Sequence, residues 1–395
     1  MNNHTFIFLG ATGNLAKLKI YPALSRLSEE ENGSTDAGSI SQLICTAYED
    51  INADEFRDKI RNHYQISFNN TDYVKTDLLN DDFSIIADRI QNKEDYIIIY
   101  LCTSPSLFLK AITDICSCNA LSMEKVKILL EKPYGTDYED TVRINEYIRE
   151  NLSENQVYRV DHYLGKEGFE VLNEVKEKYR DNWNDRYIEH ITVILSETVG
   201  IEERKDFYRE TGAISDVVQN HMFQMLLKAI TDSSYPEERA IEDISEAFNK
   251  GQAEFRYMQY LDFEKETMVY GEINTGSDKW KNTRFRLLTG KRMTEKRTEI
   301  RIKFKDTNEP VIVDFTRANT NADSLPEYSK LINSCINKDH SNFVSSREAE
   351  ATWKFGNSIR ESCKNEDICK YEPDTISTED VLVWLDEMKY TEKPE

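Results

Sequence analysis

The sequence predicts an α/β unit with a doubly wound parallel sheet, followed by an α+β unit built on a large, mostly antiparallel sheet with helices. Three observations carry this prediction. The first half holds short apolar runs without polar alternation, as strands buried on both faces require. The second half holds strands in which apolar and polar residues alternate, as strands buried on one face require. Directly after the first apolar run a glycine turn leads into a helix, the opening of a dinucleotide-binding βα unit. With 395 residues the chain is too long for one ordinary core. The expected boundary separates a dinucleotide-binding domain at 1–160 from a substrate domain at 161–395.

The first expected strand covers 5–9. Gly10, Ala11, Thr12, Gly13, Asn14 and Leu15 then turn into a helix carrying Lys17 and Lys19. Free N–H groups and the helix dipole at such a turn suit a pyrophosphate. Pro22 falls inside this helix and should kink it. A polar loop at 31–39 precedes a second strand at 42–47, and the end of the second strand is where such a fold meets the adenosine ribose. Tyr48, Glu49 and Asp50 stand there. The continuous apolar run 96–101 is a further strand, ended by Ser104 and Pro105. Another at 127–130 is closed by Glu131-Lys132-Pro133-Tyr134-Gly135.

In the second half, strands are expected at 189–197, 253–260, 267–273, 283–289, 298–305 and 310–315. Ile300, Ile302 and Phe304 alternate with Glu299, Arg301 and Lys303, so Arg297 and Arg301 are expected on a solvated face. No internal repeat or low-complexity tract interrupts the pattern.

Composition narrows the function. A hydrophobic content of 39% is enough to fold. The net charge of −22, from 50 basic and 72 acidic residues, disfavours nucleic acid and anionic membranes as partners. Any phosphate site must therefore be built locally from basic side chains and backbone N–H groups. Seven cysteines, with no CxxC pair and no Cys/His set of zinc spacing, imply reduced thiols and no metal. No apolar run reaches membrane-spanning length, and the first is too short for a signal peptide. A cytoplasmic protein is expected.

The segment Tyr158-Arg159-Val160-Asp161-His162-Tyr163-Leu164-Gly165-Lys166-Glu167 gathers an acid, an imidazole, a phenol and an ammonium within six residues, Asp161 to Lys166, a set suited to an anion. It closely resembles the signature RIDHYLGKE of the glucose-6-phosphate dehydrogenase family. Other stretches resemble that family in the same order. The turn at Gly10 resembles GASGDLAxxK, with Asn14 at the position of the usual aspartate, and Ser104-Pro105 resembles the family's LPP. Glu131 to Gly135 resembles EKPFG, whose proline is cis. The run from Gly212 through His221 to Leu226 resembles GIIRDVMQNHLLQML, and the basic turn around Gly290 and Lys291 resembles the family's GK turn. The segment around Phe207 and Tyr208 departs from the family's GRGGYFDE, and the second half is shorter than usual.

The resemblance implies hydride transfer from C1 of glucose 6-phosphate to NADP or NAD, giving 6-phosphogluconolactone, within the pentose phosphate pathway. It implies His221 as general base, supported by Asp161, since imidazole is matched to neutral pH and a nearby carboxylate favours its charged form. His162, Tyr163 and Lys166 would hold the phosphate. Lys132, Glu197, Asp216, Lys291 and Lys296 would position the sugar. Gly10 to Leu15, Tyr48, Glu49, Ser104, Pro105, Lys132 and Pro133 would line the coenzyme. NADP is the family's coenzyme, but Tyr48 aligns with the arginine that grips its 2′-phosphate. Loss of such a contact costs about 1.5–3 kcal/mol, and Glu49 adds repulsion, which favours NAD. The partner is a small sugar phosphate, and a homo-oligomer, dimer or tetramer, is expected. Two alternatives stand beside this reading: a dehydrogenase of another sugar or amino-sugar phosphate, and a non-catalytic nucleotide or sugar-phosphate sensor.

Overall fold

The computed structural model describes residues 3–31, 39–66, 68, 70–261, 265–316, 326–364 and 368–388. Most of the expected polar loop at 31–39 lies outside the described residues. The chain forms two compact units, one of residues 1–165 with 323–350, the other of 166–322 with 351–395.

The first unit holds a six-stranded parallel sheet of β1 (His4–Leu9), β2 (Ile40–Ala47), β3 (Asn70–Lys75), β4 (Tyr96–Leu101), β5 (Val126–Glu131) and β6 (Val157–Val160). Their spatial order is β3-β2-β1-β4-β5-β6, with every pair parallel. The strand order reverses between β1 and β4, which places a ligand crevice at the carboxyl ends of those strands. β1 and β5 are buried along their whole length, their apolar stretches Phe6 to Leu9 and Ile128 to Leu130 together with the polar His4, Thr5, Lys127 and Glu131. The edge strand β3, with sequence NTDYVK, has no such run.

After β1 the chain makes a π-helical stretch, Ala16–Ile20, before the α-helix Tyr21–Glu31. The N–H of Tyr21 bonds back to Ala16, five residues earlier. Pro22, which has no N–H to give, follows at the second position of the α-helix. The expected disturbance at this proline therefore takes the form of a change of helix type.

The helix Glu327–Ile336 returns to this unit, where Tyr328, Leu331, Ile332, Cys335 and Ile336 join the core formed by Phe6, Phe8, Ile98, Tyr100 and Leu129. The buried ammonium of Lys127 on β5 donates to the carbonyls of Cys335 and Ile336 at 2.7 and 3.0 Å. A cation thus meets the last carbonyls at a helix C-terminus, where the helix dipole favours positive charge.

The second unit holds a seven-stranded sheet of β7 (Ile188–Ser196), β8 (Ala253–Gln259), β9 (Met268–Ile273), β10 (Arg284–Gly290), β11 (Arg297–Phe304), β12 (Val311–Asp314) and β13 (Cys369–Lys370). The order is β12-β11-β7-β10-β9-β8-β13. β10 with β7 and β13 with β8 are parallel, and the other pairs antiparallel.

The expectation of a solvated polar face on β11 is corrected for Arg301. Glu299 and Arg301 are both buried, and Arg301 pairs with Glu299 at 2.6 Å and with Glu379 at 2.9 Å. Glu379 comes from the helix Thr378–Glu387, which also places Val381 against Ile194 and Leu288 and Asp386 2.7 Å from Arg286. That helix supplies carboxylates from the surface to the sheet's buried arginines, which therefore are not left as unpaired charges.

Candidate active site

Each unit presents its own cluster of the residues singled out above. In the first, Gly10 sits at φ +90°, and a Cβ there would run into the carbonyl of Cys102, just beyond β4. Only glycine allows this conformation and this approach. The N–H groups of Gly10 and Ala11 both donate to the Thr46 carbonyl at 2.9 Å, which locks the turn against β2. Gly13 donates to the Gly10 carbonyl at 3.1 Å, and a helical turn starts at Asn14 and Leu15. The first N–H groups of a helix have no partner within it and point outward.

Beside this turn lies a cleft of about 560 Å³ lined by residues that include Gly10, Thr12, Gly13, Tyr48, Glu49 and Leu107. Thr12 donates its hydroxyl to the Glu49 carboxylate at 2.7 Å, and Tyr48 is exposed at the rim. Ser104 and Pro105 begin a short turn whose flanking residues, Thr103 and Leu107, line the cleft themselves. Sequence reasoning missed the cleft wall at Thr76 to Leu79, which follows β3, because a polar edge strand gives no apolar signal. Space, glycine turn and helix start together fit a dinucleotide.

Farther along the same sheet, the Lys132-Pro133 bond is cis. Glu131, the residue before it, is buried and accepts a hydrogen bond from Tyr100. Asp161 is fully buried, and its Oδ1 accepts the N–H of Tyr163 at 3.0 Å. His162 and Tyr163 open the turn His162–Gly165, and the His162 ring stacks on Tyr328 at 5.7 Å. Arg159, with no exposed side-chain surface, is held by Glu154 at 2.6 Å and Asn145 at 2.8 Å. It is therefore committed to structure, unlike the half-buried His162 and Tyr163.

Burial pushes the Glu131 carboxyl from 4.5 up to about 7, overriding the Tyr100 hydrogen bond that lowers it. Below about pH 4.5 the group is protonated in both folded and unfolded chains, and its contribution to stability is fully present. As pH rises toward 7 the folded chain binds more protons, so stability falls, by on the order of 3 kcal/mol over the window. Glu131→Gln is expected to remove most of this loss. Urea unfolding at pH 5 and pH 8 checks it: the wild type should lose more stability than the variant, and equal losses would refute the assignment.

In the second unit Lys166, half-buried, precedes the helix Gly168–Lys178. Asp216 and His221, both buried, lie on a nine-residue π-helix, Ile214–Met222. Bonding in such a helix links residues five apart, the spacing of Asp216 and His221, so the two share one side of it. Two residues before it stands Gly212, with φ +65° and ψ −179°, a conformation essentially confined to glycine. Glu266 then fixes the first turn by accepting the N–H of Ile214 at 2.8 Å.

Lys291 forms an ion pair with Glu197 and lies 3.9 Å from Asp216. Glu197 is held by backbone bonds to Gly290 at 2.9 Å and Met293 at 3.0 Å. The structure thus brings together Glu197, Asp216 and Lys291, while Lys296 stands exposed on the turn between β10 and β11. It adds Tyr208 and Arg204, which contact Asp216 at 2.7 and 3.4 Å. Among the described residues no group of three His, Cys, Asp or Glu side chains could hold a metal ion, and no helix is long and apolar enough to cross a membrane.

Comparison with known proteins bears on both units. Residues 7–171 match the model for the glucose-6-phosphate dehydrogenase NAD binding domain. Residues 171–250, 243–325 and 308–391 match the model for the C-terminal domain of the same family. Glucose-6-phosphate 1-dehydrogenase of Bacillus subtilis is 27% identical, over 90% of this chain and 91% of the relative. The crystal structure of glucose-6-phosphate 1-dehydrogenase from Mycobacterium avium superposes with a TM-score of 0.77 at 22% identity, covering 100% of this chain and 99% of that one. A glucose-6-phosphate dehydrogenase in complex with glucose 6-phosphate gives 0.77 at 20% identity, covering 99% and 98%. These two structural likenesses speak to the fold, whereas the family models match sequence along nearly the whole length. This chain belongs to the glucose-6-phosphate dehydrogenase family.

Proposed function

We infer that the chain is an oxidoreductase that transfers a hydride from C1 of glucose 6-phosphate to a nicotinamide dinucleotide, giving 6-phosphogluconolactone. The observation that carries this is the match of both halves to models of one family. That match does not favour a dehydrogenase of another sugar phosphate or a sensor. A dinucleotide held along Gly10 to Leu15, Tyr48, Glu49, Ser104, Pro105, Lys132 and Pro133 supplies the hydride acceptor.

In this reading His221 takes the proton of the C1 hydroxyl, and Asp161 stabilises the imidazolium that results. His162, Tyr163 and Lys166 hold the phosphate. Lys132, Glu197, Asp216, Lys291 and Lys296 position the sugar. The burial of Asp161 and His221 supports roles that need a water-poor setting, and the clustering of Glu197, Asp216 and Lys291 supports recognition of hydroxyl groups. NAD is the preferred coenzyme: the Glu49 carboxylate, fixed by Thr12, accepts hydrogen bonds from ribose hydroxyls and repels a 2′-phosphate. The functional division falls between 1–160 and 161–395. The enzyme works in the cytoplasm, in the pentose phosphate pathway, as a dimer or tetramer.

Initial rates of reduced-nicotinamide formation with glucose 6-phosphate, run in parallel with NAD and NADP, test both parts. Turnover with NAD ahead of NADP is expected. Strong preference for NADP would overturn the reading of Glu49, and no turnover with either would overturn the reaction.

A further inference from the structure

We propose that Tyr208 is a specificity-determining residue: by donating its phenol to Asp216 it fixes which sugar hydroxyl that carboxylate accepts. The inference rests on the reading of Asp216 as a sugar contact. It begins from a residue in the segment that departs from the family's GRGGYFDE.

Tyr208 has no exposed surface, and its hydroxyl donates to Asp216 Oδ2 at 2.7 Å. Burial, and next to it the Asp216 charge, hold the phenol far above its ordinary pKa. It therefore stays protonated and acts toward Asp216 as a donor only. On the other side Arg204 Nη2 lies 3.4 Å from Asp216 Oδ1, while its guanidinium covers the Phe207 ring at 4.5 Å. Lys291 Nζ stands 3.9 Å from Oδ2 and 5.6 Å from the Tyr208 ring, and it is drawn toward Glu197 by their ion pair.

Of these three neighbours, only Tyr208 makes a short hydrogen bond at an angle set by a rigid, fully packed ring. Arg204 and Lys291 are long, rotamer-rich side chains, so they supply charge without fixing direction. The phenol thus sets the plane of the carboxylate. It also occupies one of the carboxylate's acceptor directions. A ionised carboxylate in that position recognises only groups that donate. The site therefore selects a hydroxyl at one ring position with one stereochemistry, and a deoxy or epimeric sugar phosphate forfeits the bond. Without the phenol, Asp216 can turn toward Arg204 or Lys291, and the preference is lost.

The test compares Tyr208→Phe with the wild-type enzyme on glucose 6-phosphate and on its 2-, 3- and 4-deoxy analogues, with Asp216→Asn measured in parallel. Phenylalanine keeps the packed ring and removes only the hydrogen bond. Tyr208→Phe should raise KM for glucose 6-phosphate about tenfold, with kcat changed less than about threefold. For one deoxy analogue, the one lacking the hydroxyl that Asp216 accepts, wild type and variant should differ by less than about twofold. A uniform penalty on every analogue, or a fall in kcat and thermal midpoint at unchanged KM, would mean a structural role and overturn the proposal. An unchanged KM in Tyr208→Phe, with Asp216→Asn impaired, overturns the proposal alone. An unchanged KM in Asp216→Asn overturns the reading of Asp216 and the proposal with it.

Discussion

Replacing His221 by alanine is expected to lower turnover by about 10²–10⁴-fold, with the dissociation constant for the sugar phosphate changed only a few-fold. The asymmetry follows from the division of labour proposed above. The imidazole acts on a proton that moves in the transition state, whereas the phosphate is held by other residues, and an interaction used only in the transition state shows in kcat rather than in binding. Deleting a buried ring also leaves a cavity, so a thermal melt must accompany the kinetics. Isothermal titration of the sugar phosphate then separates binding from turnover. A variant that melts normally, binds normally and turns over at a near-wild-type rate would remove His221 from the mechanism.

Coenzyme choice should reverse with two substitutions. Tyr48→Arg combined with Glu49→Gln is expected to raise the NADP-to-NAD ratio of kcat/KM by on the order of a hundredfold. The arginine supplies a charge-assisted partner for a 2′-phosphate, and the glutamine removes a carboxylate that repels it. The exposed position of Tyr48 makes the exchange sterically cheap. Thr12 keeps a partner, since glutamine still offers an acceptor to its hydroxyl. Parallel saturation curves with the two coenzymes decide the matter, and a ratio that moves less than about threefold would locate coenzyme choice elsewhere.

The legible parts of this chain were those where one local rule decides. β4 was read directly because a strand buried on both faces needs continuous apolar sequence, β5 from its apolar centre Ile128 to Leu130, and Gly10 was read because a positive φ beside a neighbouring carbonyl leaves no alternative. β3 was not legible: on the sheet edge Asn70, Thr71 and Asp72 satisfy their surroundings without an apolar pattern. β6 lay hidden in a motif whose polar residues drew attention from its four buried positions. Arg301 was misread because burial of a charge depends on a partner 78 positions away. For the same reason nothing local to Tyr208 announced its bond to Asp216. The sequence named candidate residues one by one, but contacts that join distant segments became visible only with the fold.

The helix Glu327–Ile336 has a consequence for biosynthesis. The first unit is discontinuous, and part of its core, including Leu331, Ile332 and Cys335, is the last of that unit to be translated. Ribosomes add about 5–20 residues per second, so a nascent chain that has passed Gly165 waits on the order of ten to forty seconds before this segment emerges. Meanwhile Phe6, Tyr100 and Leu129 lack their covering partners, and the end of the sheet near Lys127 stays open. The amino-terminal half cannot finish folding ahead of the rest, as an uninterrupted domain would. Its core stays incomplete until the helix Glu327–Ile336 has been made.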